Sequence, residues 1–329
     1  MTRFFISGGD GFIGFHICKE LLKDKKNKIV IYDAHKHYIP LEKSHWFKYQ
    51  NYRINELGKK ITRIRGDTTD RDLLKESLQK HKPDVIIHLA ALPIANISND
   101  YPEEARLNIF KSITILMDVV RELQLKCRVI YTSSSMVYGN FLRDKKGNII
   151  PAIEDQQCNP ICLYGAMKLS GEHIVKVYSK RFNIPYTIIR PSAVYGPTDC
   201  NRRVTEIFVR NALQSKELIL DNGGLHQLDF TYVEDVAKGF VLAANSSKAI
   251  NQTFNLTAGK GRSIKELANI ISRIVPSKIV EKETDVYRPN RGTLDISKAK
   301  KLLGYSPQFS LEKGMKKYIG FLQEELKWQ

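Results

Sequence analysis

A short apolar run at residues 3–6 leads into Gly8-Gly9-Asp10-Gly11-Phe12-Ile13-Gly14, and helical spacing follows through Lys23. This glycine spacing, G-x-x-G-x-x-G between a strand and a helix, constrains the chain more than any other feature. Backbone without Cβ atoms can turn tightly, approach a pyrophosphate and let the helix pack against the strand. The N–H groups and dipole at the helix N-terminus then favour an anion. The context adds specificity, because Asp33 closes the next apolar run 19 residues beyond Gly14. A carboxylate there can bind the adenosine ribose hydroxyls and repels a 2′-phosphate. NAD is the expected cofactor, and His35 and Lys36 keep NADP as the alternative. Gly8, Gly11, Phe12, Ile13, Gly14 and Asp33 form the expected cradle. Asp67 and Thr68, after the third run, are assigned to the adenine end, where Asp67 either accepts from the adenine amino group or caps the next helix.

The first half alternates short apolar runs (3–6, 28–32, 61–65, 85–89, 128–132, 186–189) with helical patterns at 12–23, 70–80 and 102–123. That alternation is the signature of βαβ units around a parallel sheet. A longer crossover at 35–58 has no readable structure. After Pro191 the pattern loosens into short helices at 204–214, 233–245 and 264–274 and short strands such as 230–232 and 253–255. The expected architecture is α/β, with residues 1–190 as the dinucleotide-binding part. Residues 191–329 form mainly a smaller α+β substrate lobe, with the chain crossing between the two.

The totals exclude several classes. With 42% apolar residues the 329-residue chain is a folded one. It has no apolar stretch of about 18 residues for a membrane helix and no signal-peptide pattern, so the expected compartment is the cytoplasm. The five cysteines have no metal-ligand spacing, and no metal is expected. The net charge of +17 is spread along the chain without a basic block, which argues against nucleic acid as a partner.

Four further blocks carry a resemblance: His88-Leu89-Ala90-Ala91, residues 132–139 (TSSSMVYG), Tyr164-Gly-Ala-Met-Lys168, and residues 190–197 (RPSAVYGP), with FTYVEDV at 230–236 in support. In this order, with the glycine turn, they span about residues 3–305. The chain resembles the extended short-chain dehydrogenase/reductases that modify nucleotide sugars. The resemblance implies a Rossmann-type doubly wound sheet, an NAD site that also includes Leu89, Ala90, Ala91, Tyr164, Lys168 and Pro191, and catalysis by Ser134, Tyr164 and Lys168. Oxidising a sugar hydroxyl needs a base, and a phenol with a pKa near 10 is a poor one at neutral pH. A lysine four residues on lies one helical turn away, where its ammonium favours phenolate. Ser134 would hydrogen-bond the reacting oxygen.

In relatives that dehydrate the sugar, an Asp-Glu pair follows the position of Ser134. Here Ser135 and Met136 stand there, so 4,6-elimination is not expected. The expected reaction is oxidation of a ring hydroxyl, at C4, followed by epimerisation. Release of the keto-sugar by a dehydrogenase, decarboxylation of a sugar acid, and a non-catalytic dinucleotide-binding role remain as alternatives. Ala193 replaces an asparagine that commonly binds the substrate diphosphate in this family. Arg202, Arg203 and Arg291 (in 288–292) are the candidate replacements, because a planar guanidinium grips phosphate oxygens in pairs. Ser134 and Ser135 complete the expected substrate set. His88 and Asp235 are read as structural. The resemblance also implies a homodimer through the helices at 102–123 and 164–181.

Overall fold

The computed structural model describes residues 1–39, 45–283 and 289–327. The first half alternates β1 (Arg3–Ser7), α1 (Phe12–Leu21), β2 (Lys28–Asp33), α2 (Trp46–Leu57), β3 (Thr62–Arg65), α3 (Arg71–His81) and β4 (Val85–His88). It continues through α4 (Ala95–Asp100), α5 (Pro102–Ala105), α6 (Ser112–Glu122), β5 (Arg128–Thr132), α7 (Leu163–Phe182) and β6 (Tyr186–Pro191). Then come β7 (Val194–Tyr195), α8 (Val204–Leu213), β8 (Leu218–Asp221), β9 (Gln227–Asp229), β10 (Thr231–Tyr232), α9 (Val233–Asn245) and β11 (Gln252–Leu256). The chain ends with β12 (Gly261–Ser263), α10 (Ile264–Ile274), β13 (Ile279–Lys282), α11 (Ser297–Leu303) and α12 (Leu311–Glu325).

Seven strands form one all-parallel sheet in the order β11-β6-β5-β4-β1-β2-β3. The α/β class expected from the sequence is the one observed. Alternate residues of β1 explain the two-sided core. Phe4 and Ile6 meet Phe15 and Ile17 of α1 and Phe240 of α9 on one face. Phe5 meets Leu74 of α3, Leu116 of α6 and Val175 of α7 on the other. Strand order reverses between β1 and β4, and a crevice opens there at the carboxyl ends.

Two elements differ from the sequence reading. Residues 253–255 were expected in the small lobe, but they belong to β11, which pairs in parallel with β6 at the edge of the large sheet. Burial decides this: Phe254 and Leu256 find apolar neighbours in the core beneath α9. The segment 102–123 was read as one regular helix, whereas a π-helical stretch, Arg106–Lys111, interrupts it between α5 and α6. Of the long crossover, residues 40–44 lie outside the described residues, and α2 occupies most of the rest.

The small lobe holds three two-stranded pairings (β7 with β10, β8 with β13, β9 with β12). Phe208, Leu220, Leu267, Ile271 and Met315 close its core. Asp235, at the start of α9, accepts from the backbone N–H of Gln308 at 2.9 Å and Phe309 at 3.0 Å, tying α9 to the approach of α12. This agrees with its structural reading. Asp235→Ala leaves both donors without that acceptor and is expected to lower the unfolding free energy by roughly 1–3 kcal/mol. Urea denaturation checks this, and an unchanged midpoint and slope would contradict it.

Candidate active site

The strand ends open into a cleft of about 770 Å³ between the sheet and the small lobe. Every site residue expected from the sequence lines it: Gly8, Gly11, Phe12, Ile13, Gly14, Asp33, Asp67, Thr68, Leu89, Ala90, Ala91, Ser134, Ser135, Tyr164, Lys168, Pro191, Arg202, Arg203 and Arg291.

At the glycine turn, Gly8 has φ +75° and lies so close to β4 that a Cβ would stand 2.8 Å from the Ala90 nitrogen. A Cβ on Gly14 would collide with the Gly8 carbonyl oxygen. Helix α1 starts at Phe12 with no side-chain cap and no acidic residue in its first turn. Its positive end therefore meets the cleft with no side-chain cap, which fits a dinucleotide pyrophosphate. Asp33 Oδ1 accepts from His35 N at 2.8 Å and Oδ2 from Asp10 N at 3.1 Å, and burial raises its pKa. The cations that kept NADP in play are engaged by acids. Lys36 Nζ reaches Asp67 at 2.8 Å and Glu104 at 3.5 Å, and His35 Nε2 lies 3.1 Å from Asp10. Asp67 also accepts from Thr69 N at 2.8 Å, whereas the cap of α3 is Asp70, which accepts from Leu73 N at 3.1 Å.

Helix α7 begins against the turn Ser135–Tyr138, so closely that a Cβ on Gly165 would stand 2.6 Å from the Met136 carbonyl oxygen. Cys162 caps the helix, its sulfur accepting from Gly165 N at 3.4 Å. Ser134 caps the short turn, accepting from Met136 N at 3.2 Å, and lines the cleft beside Tyr164. Buried Lys168 donates from Nζ to the Thr132 carbonyl at 2.9 Å, with Nζ 5.8 Å from the Tyr164 ring centroid. Burial pulls the lysine down to about 7. Burial raises the Tyr164 pKa, against the opposing pull of the Arg203 charge and the Ser134 hydrogen bond. Arg203, which the sequence offers as a phosphate contact, is thus a further cation whose charge acts on the phenol.

Arg203 Nη2 lies 3.4 Å from the Pro93 carbonyl across the cleft, Nη1 3.5 Å from the Val194 carbonyl, and its ion pair with Asp199 measures 3.5 Å. Arg202 uses its backbone N–H, donating to Glu206 at 2.8 Å. Ala193 holds φ +36°, a left-handed conformation that asparagine adopts more easily than alanine. Arg291 faces the cleft, and Arg288 lies outside the described residues. His88 is a structural histidine as expected. Its Nδ1 pairs with Ser7 Oγ at 2.8 Å, and burial pushes it down to about 3, so it stays neutral.

The model of the NAD dependent epimerase/dehydratase family matches residues 4–257. The chain belongs to that family. It is 32% identical over 326 residues to the uncharacterized UDP-glucose epimerase YtcB of Bacillus subtilis, covering 97% of this chain and 98% of that one. It is 27% identical to the UDP-glucose 4-epimerase of Mycolicibacterium smegmatis, covering 98% and 99%. Among solved structures it is similar to the UDP-glucuronic acid 4-epimerase of Bacillus cereus in complex with UDP-glucuronic acid and NAD. The TM-score is 0.87 at 29% identity, covering 98% and 99%.

Within this family fold, one contributor escaped the sequence reading. Arg53 of α2 lies almost wholly buried at the cleft; Nη1 donates to the Asp10 carbonyl at 2.8 Å and Nη2 to the Thr198 carbonyl at 2.9 Å. It clamps the glycine turn to the small-lobe loop. Its only sequence trace is one arginine in an ordinary polar helix. Among the described residues no cluster of three His, Cys, Asp or Glu could hold a metal, and no helix is long and apolar enough to cross a membrane.

The buried amine carries a measurable consequence. An unfolded lysine titrates near 10.5 and this one near 7, so between those values the unfolded chain binds the extra proton and stability rises with pH. Lys168→Met, without cofactor, is expected to be more stable than the parent at neutral pH by on the order of 2 kcal/mol. The difference is largest below pH 7 and fades as the pH rises through 10.5. Urea unfolding across that range checks it, and a less stable variant at pH 7 would contradict it.

Proposed function

We propose that this protein is an NAD-dependent 4-epimerase of nucleotide-diphosphate sugars, with uridine diphosphate as the nucleotide carrier. The observation that carries the reading is the meeting of Ser134, Tyr164 and Lys168 in one cleft with an uncapped, glycine-lined helix N-terminus. Relatives matched over nearly the whole chain, named as UDP-glucose and UDP-glucuronate epimerases, support it. Gly8, Gly11, Phe12, Ile13 and Gly14 would hold the NAD pyrophosphate, Asp33 the adenosine ribose, and Lys168 the nicotinamide ribose. When bound, NAD supplies the acceptor and then the donor of the hydride exchanged with the sugar C4.

The chain's own residues move the proton. Tyr164 takes it from the C4 hydroxyl and later returns it, and Ser134 holds the reacting oxygen in line with the phenol. Arg203 and the Lys168 ammonium favour the phenolate. Ser135 and Met136 offer no carboxyl group for elimination, which leaves the keto-sugar to turn over and be reduced on its other face.

The protein assembles as a homodimer in this reading, through α7 and the helices α5 and α6. Leu163, Val177 and Phe182 stand exposed on α7, which is consistent with that contact. The cysteines are all free, which suits the reducing cytoplasm as the site of action.

The test is to incubate the NAD-loaded protein with UDP-glucose and, separately, with UDP-glucuronate. The C4 epimer is expected without net growth of the reduced-nicotinamide absorbance. Tyr164→Phe should lower kcat by at least about 100-fold. Steady accumulation of reduced cofactor with a released keto-sugar, or unchanged turnover in the Tyr164 variant, would overturn the reading.

A further inference from the structure

Tyr164, Lys168 and Glu172 follow at four-residue steps along α7 and so share one face of the helix. Opposite them β5 runs on into Ser133 and the extended Ser134, whose φ is −160°. In extended chain, successive side chains point to opposite sides. Both serines line the cleft, but the Ser133 side chain, only 1% exposed, turns its hydroxyl to Glu172. Each helix residue holds one of three consecutive chain positions. Lys168 Nζ donates to the Thr132 carbonyl at 2.9 Å, Ser133 Oγ donates to Glu172 Oε1 at 2.5 Å, and Tyr164 shares the cleft with Ser134.

Glu172 is completely buried, and the Arg190 fork grips it: Nε donates to Oε1 at 2.8 Å and Nη2 to Oε2 at 2.6 Å. Lys176 approaches the same carboxylate at 3.9 Å from the surface side. Arg190 is itself fixed, because Nη1 donates to the Tyr138 hydroxyl and the Glu154 carbonyl, both at 2.9 Å. Tyr138 passes the chain on to Asn255 Oδ1 of β11 at 2.8 Å. The network joins α7, β6, β11 and the turn that follows Ser134.

A buried ion pair of this kind adds little stability over an apolar filling, since desolvation offsets the attraction. What it supplies is an acceptor oxygen held at one point by a rigid fork. We propose that Glu172, oriented by Arg190, is a positioning residue that sets the Ser134–Tyr164 contact by anchoring Ser133. This rests on reading Ser134 and Tyr164 as the reacting pair. Because Arg190 engages both carboxylate oxygens, Glu172 can sit one helical turn from Lys168 without drawing its ammonium away from Thr132.

The test compares Ser133→Ala, Glu172→Gln and Ser133→Thr in the full chain loaded with NAD. Ser133→Ala and Glu172→Gln are expected to lower kcat for epimerisation about tenfold, with KM for the nucleotide sugar changed less than about twofold. The acid limb of the kcat–pH profile moves to higher pH, because the Ser134 hydroxyl no longer sits where it favours the ionised phenol. The charged and titratable groups around that phenol, Lys168, Cys162 and Arg203, are unaltered in these variants. Ser133→Thr keeps the hydroxyl and restores both readouts. Titration of the Tyr164 phenol by ultraviolet difference absorbance against Tyr164→Phe reports the same shift without turnover, so it stands even if the sugar assay finds no substrate. If Glu172→Gln fails to fold, Ser133→Ala decides alone. Parental kcat, pH profile and phenol titration in Ser133→Ala would overturn the proposal.

Discussion

The buried amine of Lys168 governs how this molecule is arranged. It lies in the interior, has no carboxylate partner among the described residues, and satisfies itself on the Thr132 carbonyl at 2.9 Å. That bond ties the N-terminal part of α7 to the end of β5. It works only because the chain around it is tightly placed: Gly165 lets the helix touch the Ser135–Tyr138 turn, and Val175 packs the far end of α7 against the sheet. Burial costs the ammonium its solvation, so the amine sits near neutrality in its titration. Stability is given up locally to place a cation beside a phenol, and the two-sided apolar core of the sheet carries the deficit.

Much of this was legible in the sequence, for physical reasons that vary by element. Strands β1, β4 and β5 are buried on both faces, so each reads as an unbroken apolar run. Strand β11 is different. Gln252-Thr-Phe-Asn-Leu alternates polar and apolar residues at the sheet edge, which looks the same as a short strand of the small lobe. Only the parallel pairing with β6 and the return of α9 onto α1 place it. The π-helical stretch Arg106–Lys111 leaves no periodic trace either, since six residues are too few to separate one helical period from another.

The site divides along the same line. Groups that must be one residue type at one spacing stood out: the glycines for backbone approach, and Tyr164 and Lys168 for their one-turn separation. Residues whose role comes from distance in space did not. Arg53 reaches the cleft from a crossover helix; Arg203 is legible as a candidate phosphate contact, but its reach from the small lobe to the Pro93 carbonyl is not. Glu172 lies in the same helical register as Tyr164 and Lys168, but its meaning depends on Arg190 and Ser133, which the fold brings together. Arg203 also shifts the picture of the phenol, because its charge acts on Tyr164 from across the cleft.

In the proposed reaction the two lobes would divide the work: the sheet would present the dinucleotide cradle and the proton-handling pair, and the small lobe would bring the Arg203 cation over them. In the proposed reaction the hydride leaves C4 and returns to the same carbon. The most direct measurement uses a UDP-sugar deuterated at C4, incubated with the NAD-loaded protein, with the epimeric product read by mass spectrometry. The deuterium is expected to stay at C4 in the epimer. Loss of the label from that position, or its appearance in free reduced cofactor, would contradict it.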